Sequence, residues 1–293
     1  MRDKYWLISL TLSAVKNFRE SMSRIKKIAE KAVAVNRKLL IPYLVAGDPN
    51  LETTNVLMHK LVEQGADIIE LGIPFSDPSS DGPIIQRSVE RSLAKGTTLK
   101  QVLELVAEFR KTDADTGIVL MGYLNPIEIM GYKIFAEAAK VAGVDGVLTV
   151  DLPPMEADEL NTVMRAVDID TIFLVAPTTR EERVASITLK CSGYLYYVSL
   201  KGVTGAALKD FDSVSANINK LREWTQLPIV IGFGIKDAES AAAMGKLADG
   251  VIIGSALVEK IALLADHLEH DPGLLRDTVK VISEAREALD KLV

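Results

Sequence analysis

Apolar residues gather along this chain in short continuous runs. Between them lie stretches where apolar and polar positions recur at helical spacing. The runs are LLIPYLV (39–45), DIIELGI (67–73), GIVLMGYL (117–124), GVLTV (146–150), TIFLVA (171–176), YLYYVSL (194–200), PIVIGFG (228–234) and GVIIG (250–254). Unbroken rather than alternating apolar runs are what parallel strands buried on both faces require. The intervening segments, among them TTNVLMHKLVEQG, IFAEAAKVAG, MEADELNTVMRAV, SVSANINKLREW and ESAAAMGKLA, carry the helical period. Eight strand-then-helix units predict an α/β fold, a single (β/α)8 TIM barrel. The alternative is an open doubly wound sheet, but no G-x-G-x-x-G follows the first strand and eight uninterrupted units favour closure. MSRIKKIAEKAVAVN, opening at Met22, predicts an additional N-terminal helix, and the segment Pro272–Val293 a closing C-terminal helix with Pro near its start. The barrel is expected to span residues 22–293. Residues 1–21 read as an extension outside it; their apolar run from Tyr5 to Val15 is too short to cross a bilayer.

Composition narrows the function. The chain has 293 residues, and one barrel accounts for that length without a second domain. Its formal charge of −6 leaves no basic surplus for neutralising phosphates, which argues against nucleic acid as a partner. One cysteine, Cys191, offers no disulfide framework, so a cytoplasmic location is expected and a small buried thiol is the expected role. Neither a membrane nor a metal is implied. His59, His267 and His270 fall in helical patterns rather than at strand ends, where metal ligands would be needed.

In a barrel the chemistry collects where strands end and βα loops begin. The loops here are AGDPN, PFSDPSSDGP, YLNP, DLPP, KGVTGAA, GFGI and GSAL, polar and glycine-rich on one rim. Within the second unit, Glu70 sits inside an apolar strand, where an unpaired charge costs several kcal/mol. Gly205, Gly234 and the pair Gly254-Ser255 permit close backbone approach to an anion on the late units, where this fold often holds phosphate. A phosphorylated small molecule is the expected ligand. Lys201 follows the sixth strand in a glycine-rich loop, a poor position for a Schiff base. Carboxylates remain as the chemical groups.

The strings LLIPYLVAGDP, IIELGIPFSDPSSDGPIIQ, GYLNP, GVDGV…DLPP, VSLKGVTGA and IVIGFGI occur in this order from about Met22 onward. Together they resemble the tryptophan synthase alpha subunit family. The resemblance implies retro-aldol cleavage of indole-3-glycerol phosphate to indole and glyceraldehyde 3-phosphate, with no cofactor in this chain. It also implies a beta-subunit partner that carries pyridoxal phosphate, in an alpha2-beta2 heterotetramer. Position by position, Glu70 and Asp81 match the family's catalytic carboxylates, and Asp151 a nearby supporting acid. The indole pocket maps onto Tyr43, Met121, Tyr123, Leu148, Tyr196 and Phe233, and the phosphate site onto Gly205, Gly234, Gly254 and Ser255. Asp48-Pro49 and Asp77-Pro78 read as loop formers. Ser79-Ser80, Val45 and Val150 depart from the commoner pattern; the serines lie on the loop that faces the beta subunit in this family. A free-standing lyase without a partner, and a non-catalytic subunit that activates its partner by docking alone, are the alternative functions.

Overall fold

Eight parallel strands close on themselves in sequence order. The computed structural model describes residues 23–198, 211–232, 234–265 and 272–292. The expected extension, and with it its boundary at residue 21, lies outside the described residues.

The strands are β1 (Leu39–Val45), β2 (Ile68–Gly72), β3 (Gly117–Gly122), β4 (Gly146–Thr149), β5 (Asp170–Val175), β6 (Leu195–Val198), β7 (Ile229–Gly232) and β8 (Gly250–Ile253), with β8 pairing back onto β1. The helices are α1 (Arg24–Ala34), α2 (Leu51–Glu63), α3 (Pro83–Ala94), α4 (Leu99–Phe109), α5 (Leu124–Met130), α6 (Tyr132–Ala142), α7 (Asp158–Ala166), α8 (Glu181–Lys190), α9 (Phe211–Trp224), α10 (Ala238–Gly245), α11 (Ser255–Ala262) and α12 (Pro272–Asp290). The expected run 117–124 stops early as a strand. Gly122 ends β3, Tyr123 is the N-cap of α5, and Pro126 falls in that helix's first turn, where its missing N–H costs nothing. The second unit carries two helices, α3 and α4, the latter opened by a Thr98/Gln101 capping box.

Side chains along each strand divide between two apolar layers. Ile69, Leu71 and Ile73 point outward to the helices, in one cluster with Leu57, Leu61 and Val102. Ile68 points inward, with Ile41, Val119, Leu148, Ile172, Val230 and Ile252. Both faces are therefore buried, which is why the strands read as continuous apolar runs. At the N-terminal end, α1 plugs the barrel with Ile25, Ala29 and Ala32. Polar groups inside the barrel consequently stand against an apolar background that is closed at the bottom.

Candidate active site

Glu70 occupies the middle of β2, with its Cα level with Tyr43 on β1 and Val119 on β3. It shares the inward face with Ile68, because residues two apart on a strand point the same way. The side chain is fully buried. Its Oε1 accepts a 2.5 Å hydrogen bond from the Tyr194 hydroxyl across the barrel, and its Oε2 is buried with no partner among the described residues. Burial pushes the carboxyl up to about 7, against the opposing pull of the Tyr194 hydrogen bond. Near neutral pH such a group is populated in both protonation states, as a proton-transfer residue requires.

Asp81 lies on the loop between β2 and α3, just before Gly82, the N-cap of that helix. Its Oδ2 accepts from the Tyr123 hydroxyl at 3.1 Å. The same phenol accepts the Ser80 backbone N–H at 2.9 Å, so Tyr123 holds the loop on both sides of the Ser80–Asp81 peptide. Gln86 Nε2 bonds the Asp81 carbonyl at 2.8 Å and ties the loop to α3. Burial raises the Asp81 carboxyl above its ordinary value, and the Tyr123 bond opposes that. A small cleft beside Asp81 is lined by Tyr43, Met121, Tyr123, Ile73, Phe75 and Val150, among others. The Phe75 and Tyr123 rings meet at 5.5 Å between centroids. Three of the expected pocket residues, Tyr43, Met121 and Tyr123, thus gather around this carboxylate. Leu148 and Tyr196 are buried in the barrel interior, while Phe233 is outside the described residues.

The expected phosphate residues divide likewise. Gly234, after β7, has φ +73°, a conformation that L side chains rarely adopt, and faces open space. Gly254, after β8, is the N-cap of α11 without a side-chain cap, and Ser255 is exposed at that helix's first position. β7 and β8 are neighbours, so both features lie on one sector of the rim. Gly205 and Lys201 fall outside the described residues, as do His267 and His270.

Among the remaining acids, Asp151 is exposed and accepts the Leu124 N–H at 2.8 Å, joining the loop after β4 to the start of α5. Asp77 is exposed and accepts from Ser76 at 2.5 Å. Asp48 is more than a loop former. It is 1% exposed, pairs with Arg91 Nε and Nη2 at 2.7 Å each, and also accepts from Ser88. A loop beside α3 buries it, and the arginine on that helix compensates the charge.

Sequence reading passed over Tyr194, the partner of Glu70. The available signal was its spacing: Tyr194 and Tyr196 are two apart in YLYYVSL and share the inward face. Phe75 was legible only as a loop residue, and Val150 as the end of the run 146–150, which as a strand stops at Thr149. Among the described residues, no group of three or more His, Cys, Asp and Glu side chains is arranged to hold a metal ion. A cleft of about 580 Å³ beside Arg24, Lys27, Lys140 and Asp168 lies at the opposite end of the barrel.

A closed barrel in which two carboxylates meet phenols and no cation among the described residues, one of them buried and pushed up to about 7, has the build of a barrel enzyme. Comparison with known proteins narrows this. The family model for the tryptophan synthase alpha chain matches residues 29–286, and the chain belongs to that family. The tryptophan synthase alpha chain of Marinobacter nauticus is 55% identical over 272 residues, covering 92% of this chain and 99% of that one. That of Thioalkalivibrio sulfidiphilus is 54% identical over 270 residues, covering 92% of this chain and all of the other. The crystal structure of the alpha subunit from Legionella pneumophila superposes with a TM-score of 0.86 at 46% identity, covering 92% of this chain and 100% of that chain.

Proposed function

We propose that this chain is the alpha subunit of a tryptophan synthase and cleaves indole-3-glycerol phosphate to indole and glyceraldehyde 3-phosphate, with Glu70 and Asp81 as its working carboxylates. The observation that carries the reading is Glu70: a fully buried carboxyl, with no cation beside it among the described residues, that burial pushes up to about 7. Breaking the bond between indole C3 and the glycerol chain requires a proton at C3 and leaves positive character on the ring nitrogen. Glu70 delivers that proton and takes one from the chain hydroxyl as the aldehyde forms. Asp81, ionised beside the cleft, faces the ring N–H and stabilises the developing charge. The apolar walls supplied by Met121, Ile73 and Phe75, with Tyr43 and Tyr123, suit a flat aromatic ring. Gly234 and the start of α11 support a phosphate position, since the first N–H groups of a helix have no intrahelical acceptor. The route needs neither a metal nor a Schiff base.

A beta subunit carrying pyridoxal phosphate is the expected partner, in a heterotetramer and in the cytoplasm; this chain itself holds no cofactor in the scheme. Support for docking comes from the rim. Ile129 on α5 and Met155 after β4 are 81% and 84% exposed, and Ser79 and Ser80 are exposed on the Asp81 loop. No helix among the described residues is long and apolar enough to cross a membrane.

The test is turnover of indole-3-glycerol phosphate by the wild type, Glu70→Gln and Asp81→Asn, followed as indole release with and without a beta subunit. Each substitution is expected to lower turnover by about three orders of magnitude or more with the fold retained. Near-normal indole release by either variant would sink the assignment of that carboxylate.

A further inference from the structure

Four phenols of the described residues stand about the two carboxylates, and two of their hydroxyls are accounted for. Tyr194 donates to Glu70, and Tyr123 donates to Asp81 while accepting from Ser80. Tyr43 and Tyr196 have no hydrogen-bond partner among the described residues. They differ in what they face. Tyr196 stands within the field of Glu70, whereas Tyr43 feels both Asp81 and Glu70 and also lines the cleft beside Asp81.

The position of the Tyr43 hydroxyl follows from strand register. Tyr43 and Glu70 are level on adjacent strands and both point inward. Gly72 lies two residues further along β2, one layer nearer the mouth of the barrel. A Cβ on Gly72 would fall 2.5 Å from the Tyr43 oxygen, so the phenol extends upward across the space that this glycine leaves. Its hydroxyl therefore sits one layer above Glu70, on the side toward the loop that carries Asp81. Burial, and then the charges of Asp81 and Glu70, hold the phenol well above its ordinary pKa, so it stays protonated and able to donate.

Between a proton-transferring Glu70 and an Asp81 that faces the ring nitrogen lies the bond to be broken. On one side of that bond stands indole C3, and on the other the hydroxylated carbon chain. We propose that the Tyr43 hydroxyl hydrogen-bonds a hydroxyl of that chain, positioning it for Glu70 and selecting hydroxylated chains over bare ones. The proposal rests on the function argued above and assigns the polar end of a residue whose ring alone would serve as pocket wall. A buried hydroxyl left unpaired when a bare chain binds makes such selection possible.

The experiment uses the full chain with Tyr43→Phe, which removes one oxygen and keeps the ring over Gly72. Steady-state cleavage of indole-3-glycerol phosphate is compared with binding of an indole carrying a phosphorylated three-carbon chain without hydroxyls. The expected result is a fall of about tenfold in kcat/KM for the substrate, the scale of one hydrogen bond. The dissociation constant of the bare-chain analogue is expected to stay within about twofold, a readout that a mere packing role would move together with the first. Equal changes for both ligands, or no change in kcat/KM, overturn the proposal while leaving the lyase reading intact. A wild type that binds the analogue but never releases indole overturns the lyase reading, and the proposal with it.

Discussion

At the N-terminal ends of the strands, Asp67, Asp145 and Asp249 each stand immediately before β2, β4 and β8, and each clasps the strand beside it. The carboxylates accept the N–H groups of Leu40, Ile118 and Ile229 at 2.9, 2.8 and 2.9 Å. In return, the three aspartate N–H groups bond the carbonyls of those same residues. Arginines complete the arrangement: Arg37 and Arg286 with Asp67, Arg24 and Arg110 with Asp145, and Arg222 with Asp249. At the opposite end, Glu70 and Asp81 accept side-chain hydrogen bonds from phenols and pair with no cation among the described residues. Burial pushes Asp67, Asp145, Glu70 and Asp81 all upward, but only at the bottom do arginines pull the other way. The same chemical group is thus a strand clamp where a cation and a backbone N–H meet it. Where only a neutral phenol does, it is a titrating acid. Asp48, in a loop after β1, is a compensated acid of another kind: Arg91 and the Ser88 hydroxyl meet its carboxylate, and among the described residues no strand N–H does.

The sharpest way to break this contrast is Asp145→Asn. Asparagine still accepts the Ile118 N–H, but Arg110, with a side chain only 10% exposed, loses its 2.7 Å carboxylate and keeps only Asp113 at 3.6 Å, while Arg24 loses the same partner. Withdrawing the charge that two arginines share is expected to cost about 3–5 kcal/mol. Urea unfolding would read this as a lower midpoint, while turnover per folded molecule should stay unchanged. A loss of activity without loss of stability would erase the division between the two ends.

Glu70→Gln should do the reverse at the other end. The folded protein holds the Glu70 proton up to about pH 7, whereas the ordinary value is 4.5. Between those two values the native state binds more protons than the unfolded chain, so stability falls as pH rises, and above pH 7 the whole penalty is present. Glutamine removes it. The variant is expected to gain up to about 3 kcal/mol over wild type at pH 8 and very little near pH 5. Denaturation midpoints at the two pH values check this, and a gain that does not grow with pH would count against a strained Glu70.

Tyr194→Phe has the smallest expected effect. Its hydroxyl is what pulls the Glu70 carboxyl downward, so without it the Glu70 limb in the pH profile of kcat/KM should move to higher pH. At neutral pH the change in rate should not exceed about tenfold. A limb that stays in place would mean that Tyr194 supports the barrel wall and does not tune the acid.

Much of the barrel was legible because periodicity and backbone chemistry are local. All eight strand positions agreed with the apolar runs to within a few residues, and β1 matched end to end. Mismatches fell at strand ends, among them Tyr123 and Leu124, where a helix begins inside an apolar run. For the site, Glu70 stood out as a carboxylate inside an apolar strand, and the motif resemblance added Asp81. Tyr194 did not stand out, since a tyrosine in a strand is ordinary until its neighbour is known.

The order of strands and helices, the burial of both strand faces, the collection of polar loops on one rim and the family can all be read along the chain. These follow from side-chain period and from strings read along the chain. Which acid is compensated and which is not depends instead on the closed barrel. Tyr194 meets Glu70 from 124 residues away, Arg91 meets Asp48 from 43, and Arg286 meets Asp67 from 219. The physical reason is that desolvation and charge pairing depend on distance through space, and closing the barrel brings together residues that the chain keeps far apart.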